Sequence, residues 1–578
     1  MKKHTWLAAL LLLGLCGCND NFMERYPLDS LAPETYFRNE AELKAYTNSL
    51  FSNLPDLANG FYNGYRQGDD IVQKTVLTEF RSDLRTVPAS GGSWTWTGLR
   101  SINFFLANSH QCPDQTVREK YDGIARFWRA YFYFDKLVRF GDVPWYDKPI
   151  AQDDEAALMQ PRLSRGEIFR KMLDDVDYAI TYAPDERNAS HITRWTALAL
   201  KSRMCLFEGT WRKYRDLTGW EEILGYCADA SLRMIEESGY SIHTSTPDKA
   251  YWELFLAEAP YTEEMILAAT FNNDLNRNHY INLHLQGPSQ GLCGMTRSLF
   301  CSYLCSDGSR YTERAGYAAE DFYRSTQSRD PRLSQSIRTA GYHYPDKTAE
   351  LLPDMGCTVT GYMLTKYVTN TTTINGTNAL PHFRYAEVLL NYAEAKAELG
   401  TLKQEDINLS IKELRNRVGM PNLDMQKANA SPDPYLAEQY PGVSGPNKGV
   451  ILEIRRERRV EMFLEGLRWQ DILRWKEGQL LARKQHGAYF GGSGPYDLNG
   501  DGKVDLVLYS GSRPGGYDGA SFIDISKLHL SDGNSGEIVA NPDIKRSWNE
   551  HRDYLMPIPL QELQLNLNLV QNPQWDVE

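Results

Sequence analysis

The chain has 578 residues, a net charge of −12 at pH 7 and a pI near 5.5. This acidic balance argues against nucleic acid as a partner, because nucleic-acid binding depends on clustered Lys and Arg. No Pro/Gly/Ser-rich linker or low-complexity tract divides the chain, so we expect one large body. The 34 Tyr and 13 Trp are more than a core alone usually requires, and these side chains also suit binding surfaces.

The N-terminus has the pattern of an export signal. Two lysines precede an apolar run from Trp6 to Leu15 that is too short to span a bilayer, so residues 1–17 are interpreted as a signal peptide. The run ends in LCGC, which resembles a bacterial lipobox, and Cys18 is the predicted lipidation site. The alternative is an ordinary secreted protein with an incidental cysteine. A lipid would hold the chain at a membrane surface without a spanning segment.

Helical patterns fill the N-terminal part, about residues 19–240. Apolar residues recur at three- and four-residue steps along residues 114–141, and this pattern stops at Gly141. Another helix is predicted to start near Thr193. The same periodicity predicts further helices over residues 34–51, 164–184 and 220–239.

Residues 240–380 are rich in Asn, Gly, Thr and Tyr and predict an irregular region of loops and short strands, where recognition surfaces tend to lie. The C-terminal part, about residues 381–578, is predicted to be helical again, with a pair over 381–400 and 405–419. Helix pairs with interleaved alanines and aromatics favour a tetratricopeptide-like stack, although no strict 34-residue period is visible. The predicted fold class is therefore mostly α, with tetratricopeptide-like helical repeats and an irregular subdomain of loops and short strands.

Seven cysteines follow Cys18, and an odd number cannot all pair within the chain, so this is not a disulfide scaffold. Cys293, Cys301 and Cys305 are close enough in sequence to include one bridge. They are a weak metal candidate, because histidines lie nearby but no zinc-ligand spacing is met.

The segment EIRRERRVEMFLEGLRW, residues 453–469, resembles a basic nucleic-acid helix at first sight. However, glutamates recur every four residues beside the arginines, and opposite charges at three- and four-residue spacing pair on a helix. We therefore expect a structural helix. Its predicted buried face consists of Val460, Phe463, Leu464 and Leu467.

The segment YDLNGDGKVDL, residues 496–506, has the spacing of the front half of a calcium loop. Leu508 takes the place of the bidentate acid, and no two clear helices flank the segment, so an EF-hand switch is excluded. A structural calcium is predicted instead, with an ion-free Asx-rich turn as the alternative. The predicted ligands are the side chains of Asp497, Asn499, Asp501 and Asp505 and the backbone carbonyl of Lys503.

Signatures of catalysis are missing from the sequence. It contains no H-E-x-x-H, no G-x-S-x-G elbow and no phosphate loop. Acidic residues are plentiful, but nothing singles out a glycosidase pair of carboxylates. The protein is therefore predicted not to be an enzyme.

Seven segments occur along the chain in this order: LAPETYFRNEAELKAYTNSLF, GLRSINFFLAN, ARFWRAYFYFDKLVRFGDVPW, TRWTALALKSRMCLFEG, FRYAEVLLNYAEAKAELG, RRERRVEMFLEGLRWQDILRW and YLMPIPLQELQLNLNLVQNPQW. Together they resemble the SusD/RagB family of outer-membrane lipoproteins from Bacteroidota, over essentially all of residues 18–578. The resemblance implies a lipid-anchored protein on the cell surface that captures oligosaccharides. It also implies delivery to a SusC-like TonB-dependent transporter, with the helical repeats facing the transporter and the irregular subdomain carrying the ligand site. Some family members handle peptides, so a peptide-binding lid is the alternative, and a surface glycosidase is a distant third.

Two loops carry the residue types that bind sugars, namely aromatic rings for stacking and polar groups for hydroxyls. The resemblance favours the N-terminal region, where the predicted binding residues are Asp69, Asp70, Trp94, Trp96 and Arg100. The loop 271–280 is the second candidate, with Asn273, Asp274 and Tyr280. The alternative for each residue is a core tryptophan or a turn-forming aspartate. The residues alone do not identify the glycan.

Overall fold

The computed structural model describes residues 36–54, 68–76, 78, 84–289, 291–370 and 374–575. The predicted signal peptide and Cys18 lie outside these residues, as do positions 65–67 next to the first candidate loop. The described part contains 20 α-helices and nine short strands, so the predicted mostly α fold class is confirmed. None of the helices described is both long and apolar enough to cross a membrane.

The N-terminal part is a row of packed helices. The bounds are α1 Glu40–Ser49, α2 Thr97–Asn108, α3 Gln115–Phe140, α4 Glu155–Leu158, α5 Arg165–Tyr182, α6 Arg194–Lys213 and α7 Trp220–Glu237. Helix α3 packs on α5, α5 on α6, and α6 on α7, while α2 lies against α3.

Local capping chemistry sets the ends of these helices. The Asp114 side chain accepts from the Val117 amide at the start of α3, and Gly141, with φ +72°, ends the helix where the sequence pattern stops. Thr193 caps α6 in a capping box with Thr196. The predicted start near Thr193 and stop at Gly141 are confirmed.

The helical row continues with C-terminal helices. Helix α12 packs on α7, and α17 packs on α12, so the paired stacking resembles tetratricopeptide repeats. The predicted single helix over 405–419 is broken at Ser410, whose φ of −128° and ψ of −84° are not helical. The bounds are α12 Tyr385–Glu398, α13 Gln404–Leu409, α14 Ile411–Arg417, α15 Met425–Ala430, α16 Pro434–Gln439, α17 Lys448–Glu461, α18 Arg468–Arg474, α19 Gln479–Ala482 and α20 Leu560–Leu565.

The middle of the chain forms the irregular subdomain with a hydrophobic core of its own, separate from that of the helical row. Strand β1 pairs antiparallel with β3, and β2 with β4. The bounds are β1 Ile71–Val72, β2 Met265–Ala269, β3 Gly294–Met295, β4 Leu380–Arg384, α8 Ala250–Glu253, α9 Ile281–Gln286, α10 Arg297–Ser302 and α11 Phe322–Thr326.

Residues 485–540 differ from the helical prediction for the C-terminal part. They form an antiparallel pair, β5 with β9, and a three-stranded sheet in the order β6-β7-β8. Ala488, Phe490 and Leu506 of these strands complete the core of the irregular subdomain, which explains why the segment folds there. The bounds are β5 Gln485–Phe490, β6 Gly494–Tyr496, β7 Leu506–Tyr509, β8 Ser521–Asp524 and β9 Gly536–Ala540.

Helix α17, which carries most of the charged segment, is buried on all sides. Its apolar residues belong to the cores of both the helical row and the irregular subdomain, so it links the two. Glu453 and Arg456 pair within the helix at 2.9 Å, as expected. Most partners lie on other segments instead, including Arg332 for Glu457 and Asp471 for Arg458. The predicted structural role fits this position, but the pairing is mainly with distant segments. The predicted apolar face, Val460, Phe463, Leu464 and Leu467, is buried.

All seven cysteines after Cys18 are buried, and none of them forms a disulfide bond. The bridge considered among Cys293, Cys301 and Cys305 is therefore not formed.

Candidate functional site

A tight turn places two tryptophans at the start of α2. Gly91, Gly92 and Ser93 all have positive φ, and the Trp94 amide donates to the Gly91 carbonyl at 2.9 Å. A Cβ at Gly92 would lie 2.9 Å from a side-chain carbon of Pro88, so glycine is required for both conformation and space. Lys136 of α3 donates from Nζ to the Ser93 carbonyl at 2.6 Å and ties the turn to the helical row.

The two rings differ in exposure. Trp94 is buried and meets Phe140 edge-on at a centroid distance of 4.8 Å. Trp96 is partly exposed, lies edge-on to Trp94 at 5.4 Å and meets Tyr146 edge-on at 5.5 Å. These neighbours fix the orientation of the Trp96 ring while part of its surface remains open, which is the arrangement a sugar-stacking ring needs.

Trp94 and Trp96 line a cavity of about 670 Å³, which we call the Trp96 cavity. This volume lies within the range of typical ligand sites, which is about 300–1,000 Å³. Its lining also includes residues of the segment after α3, of α4, and of α20 near the C-terminus. Leu158 and Leu565 in this lining are exposed, at 45% and 61%.

Polar side chains also line the Trp96 cavity, namely Arg100, Lys148, Gln152 and Glu562. Arg100, Lys148 and Gln152 are exposed to solvent. Burial raises the pKa of the Glu562 carboxyl above its ordinary value. The cavity therefore combines aromatic surface with several hydrogen-bonding groups.

Asn103 also lines the Trp96 cavity but has a structural role. It is 1% exposed, and its Nδ2 donates to the Tyr146 carbonyl at 2.9 Å. This bond holds one wall of the cavity against α2.

Asp69 and Asp70, predicted to bind glycan, are buried and do not line the Trp96 cavity. Asp69 accepts from Arg468 Nε at 2.7 Å and from an Arg459 guanidinium nitrogen at 2.9 Å, and Asp70 accepts from Arg459 Nε at 2.6 Å. Burial would raise the pKa of Asp69, but the two guanidinium groups hold it below its ordinary value. Both carboxylates join the N-terminal segment to α17 and α18, which is a structural role.

The second candidate loop, 271–280, is exposed over residues 272–277 and at Tyr280, and it does not line the Trp96 cavity. Asn273 Nδ2 donates to the Asn375 carbonyl at 3.4 Å, and the Asp274 amide donates to Asn272 Oδ1 at 2.7 Å. Tyr280 is 46% exposed. The structure therefore separates the predicted binding residues into three places: the Trp96 cavity, the buried pair Asp69 and Asp70, and the loop 271–280.

The predicted calcium loop is a chain of Asx turns. Asp497 accepts the amides of Asn499 and Gly502, and Asp501 accepts the Lys503 amide at 2.8 Å. Asp505 accepts the Leu498 amide at 2.8 Å. In the described part of the chain, no three His, Cys, Asp or Glu side chains are grouped to hold a metal. The carboxylate and amide oxygens are of the type calcium prefers, so calcium binding stays a prediction.

The sequence does not single out the walls of the Trp96 cavity. Tyr146 and Lys148 follow α3, and Glu562 and Leu565 belong to α20, more than 400 residues further along the chain. Only the position of α20 inside one of the seven resembling segments marks it.

Stacked helix pairs, an irregular second core and an open aromatic cavity together define an α-helical repeat protein with space for a ligand. The SusD family profile matches residues 263–575, more than half of the chain, and the protein belongs to the SusD family.

Known relatives agree with this assignment over most of the chain. SusD-like protein P2 of Formosa agariphila is 22% identical over 496 residues, which cover 83% of this chain and 92% of the relative. The crystal structure of a SusD-like carbohydrate-binding protein from Bacteroides fragilis matches with a TM-score of 0.70 at 20% identity, covering 93% of this chain and all of the other. A laminarin-binding SusD-like protein matches with a TM-score of 0.56 at 18% identity, again over 93% and 100%. At these identities the structural likeness shows the fold.

Proposed function

We propose that this protein is a cell-surface lipoprotein that captures oligosaccharides in the Trp96 cavity and passes them, unchanged, to a SusC-like TonB-dependent transporter. The lipid on Cys18 would hold it in the outer membrane beside the transporter, which raises the effective concentration of each for the other. The role is capture and release, without catalysis.

The observation that carries the proposal is the partly exposed ring of Trp96 in the lining of the cavity, where Trp94 and Tyr146 meet it edge-on. A sugar ring presents a face of C–H groups that stacks on such a ring, and its hydroxyls need donors and acceptors around the rim. Arg100, Gln152 and Glu562 supply both kinds. The carbohydrate-binding and laminarin-binding relatives of the same fold support the choice of glycan as ligand.

The expected affinity is modest, between millimolar and micromolar, or about −4 to −8 kcal/mol. A ligand that stacks on one ring and makes a few solvent-exposed hydrogen bonds falls in this range, because much of the interaction energy offsets the loss of ligand freedom. A modest affinity also suits a protein that must release its cargo.

A polysaccharide screen by affinity electrophoresis tests the proposal, with the protein starting after Cys18. We expect retardation by at least one glycan, lost in Trp96→Ala and kept in Tyr182→Ala, a matched control whose exposed ring lies on α5. Loss in Tyr280→Ala instead would move the site to the 271–280 loop. Binding of extended peptides with no glycan retained would favour the peptide-binding alternative, and the appearance of shortened products would indicate a glycosidase.

A further inference from the structure

A second cavity opens at the turn between α6 and α7, away from the Trp96 cavity. Its volume is about 830 Å³, within the range of ligand sites. The turn 213–221 forms one side, and segments 441–444 and 475–477 form the other. We call it the Glu477 cavity after the carboxylate in its lining.

Glu477 is an unusual group to find at this place. It is 6% exposed, its Oε1 has no hydrogen-bond partner, and the nearest guanidinium nitrogen, that of Arg455, is 3.9 Å away. Burial raises the pKa of the Glu477 carboxyl to about 7. The Gly442 backbone is a hydrogen-bonding neighbour of this carboxylate, but Oε1 lacks the close side-chain partner that buried acids normally have.

Arg455 behind it is equally short of partners. Its side chain is fully buried, and none of its three guanidinium nitrogens has a hydrogen bond. The guanidinium carbon lies 4.2 Å from the centre of the Trp475 ring and 4.9 Å from that of Tyr214. Its interactions are therefore with ring faces and with two acids at longer distance, Glu398 at 3.6 Å and Glu477 at 3.9 Å.

Unsatisfied buried charges of this kind reduce the stability of the folded chain, so their presence in a cavity wall needs a reason. The other buried arginine–carboxylate pairs of α17, such as Arg458 with Asp471 at 2.9 Å, are closely bonded. This contrast within one helix indicates that the Glu477 cavity is arranged for a ligand and not only for folding.

The lining selects the chemistry of that ligand. Lys213 Nζ already lies 4.9 Å over the Trp220 ring, and Arg455 covers Trp475, so a cationic ligand would meet cations on the aromatic faces. An anionic ligand would meet Glu477, Asp216 and Glu221. A neutral ligand with many hydroxyls can donate to Glu477 and stack on the partly exposed ring of Trp220.

We propose that the Glu477 cavity is a second saccharide-binding site, specific for uncharged sugars and independent of the Trp96 cavity. The choice of a saccharide as its ligand rests on the proposed function. The two cavities are lined by different tryptophans, so each site can be tested separately.

The test uses protein labelled with 5-fluorotryptophan, in which the ¹⁹F resonances of Trp96 and Trp220 are assigned by Trp→Phe variants. The protein is titrated with laminarihexaose, cellohexaose, maltohexaose, mannohexaose and xyloglucan heptasaccharide. We expect a saturable shift of the Trp220 resonance with at least one of them, kept in Trp96→Ala. Glu477→Gln should weaken this binding about tenfold, because an amide accepts a hydroxyl hydrogen bond less strongly than a carboxylate.

Glu477→Gln should leave the resonances of tryptophans outside the Glu477 cavity unchanged, since it replaces a buried acid by a neutral group of the same shape. The control is Glu237→Gln at the far end of α7, where the side chain is exposed. A Trp220 resonance that moves with none of the sugars would overturn the second site, as would equal affinity in Glu477→Gln. Movement of Trp96 alone would leave the proposed function standing, and movement of Trp220 alone would overturn the Trp96 cavity instead.

Discussion

Replacing Glu461 by alanine should be among the most destabilising single changes in this chain. Its carboxylate is fully buried on α17 and accepts from Arg384 at 2.7 Å, from Arg332 at 3.0 Å and from Arg417. Removal would leave three buried guanidinium groups short of negative charge. Breaking a buried ion pair by removing one partner costs about 3–5 kcal/mol, and we expect a loss of that size in the free energy of unfolding.

Urea unfolding at pH 7, followed by tryptophan fluorescence, measures this loss. The control is Glu237→Ala, which removes an exposed pair with Arg233 at 3.6 Å and should cost about 0–1 kcal/mol. If Glu461→Ala lost no more than the control, α17 would not be the electrostatic centre of the fold, and the buried pairs would contribute little to its stability.

Three further outcomes are expected. The free energy of unfolding should fall as the pH drops from about 5 towards 2 in a series of thermal melts. Burial alone would raise the pKa of Glu394, but the charge of Arg474 outweighs burial and lowers this pKa from 4.5 to about 2. The stabilisation by ionised Glu394 is therefore fully present above the unfolded pKa and is lost as the pH falls through the folded pKa. A free energy of unfolding that does not change over this pH range would contradict this. Asp69→Asn should lower the midpoint of urea unfolding, because it weakens the pairs with Arg459 and Arg468. It should leave glycan affinity unchanged, and a selective loss of affinity would restore Asp69 as a binding residue. Calorimetric titration should show weak calcium binding, and Asp501→Asn should reduce it. EDTA should leave glycan retention unchanged. An absence of binding heat would favour the ion-free Asx turn.

Much of the helical frame follows from local chemistry that the sequence displays. The cap at Asp114, the stop at Gly141 and the capping box at Thr193 each involve residues within a few positions of one another. The strands of 485–540 were not predictable in this way, since they are short and form only because their side chains reach a core made by the middle of the chain.

The site shows the same division between local and distant information. The aromatic and polar mixture around Trp96 was visible in the sequence, and Trp94, Trp96 and Arg100 meet in one cavity. The residue types around Asp69 predicted a sugar-binding loop in the same way. Its burial, however, depends on Arg459, about 390 residues away. The wall formed by α20 depends likewise on contacts between the two ends of the chain.

The most direct measurement is the affinity of Trp96→Ala for the glycan found in the screen, by isothermal titration calorimetry beside Tyr182→Ala. Loss of stacking on one ring is expected to weaken binding about fivefold or more, since aromatic contacts contribute about 1–3 kcal/mol. The Tyr182→Ala protein should bind like the original. Equal affinity in all three proteins would contradict the assignment of the Trp96 cavity as the capture site.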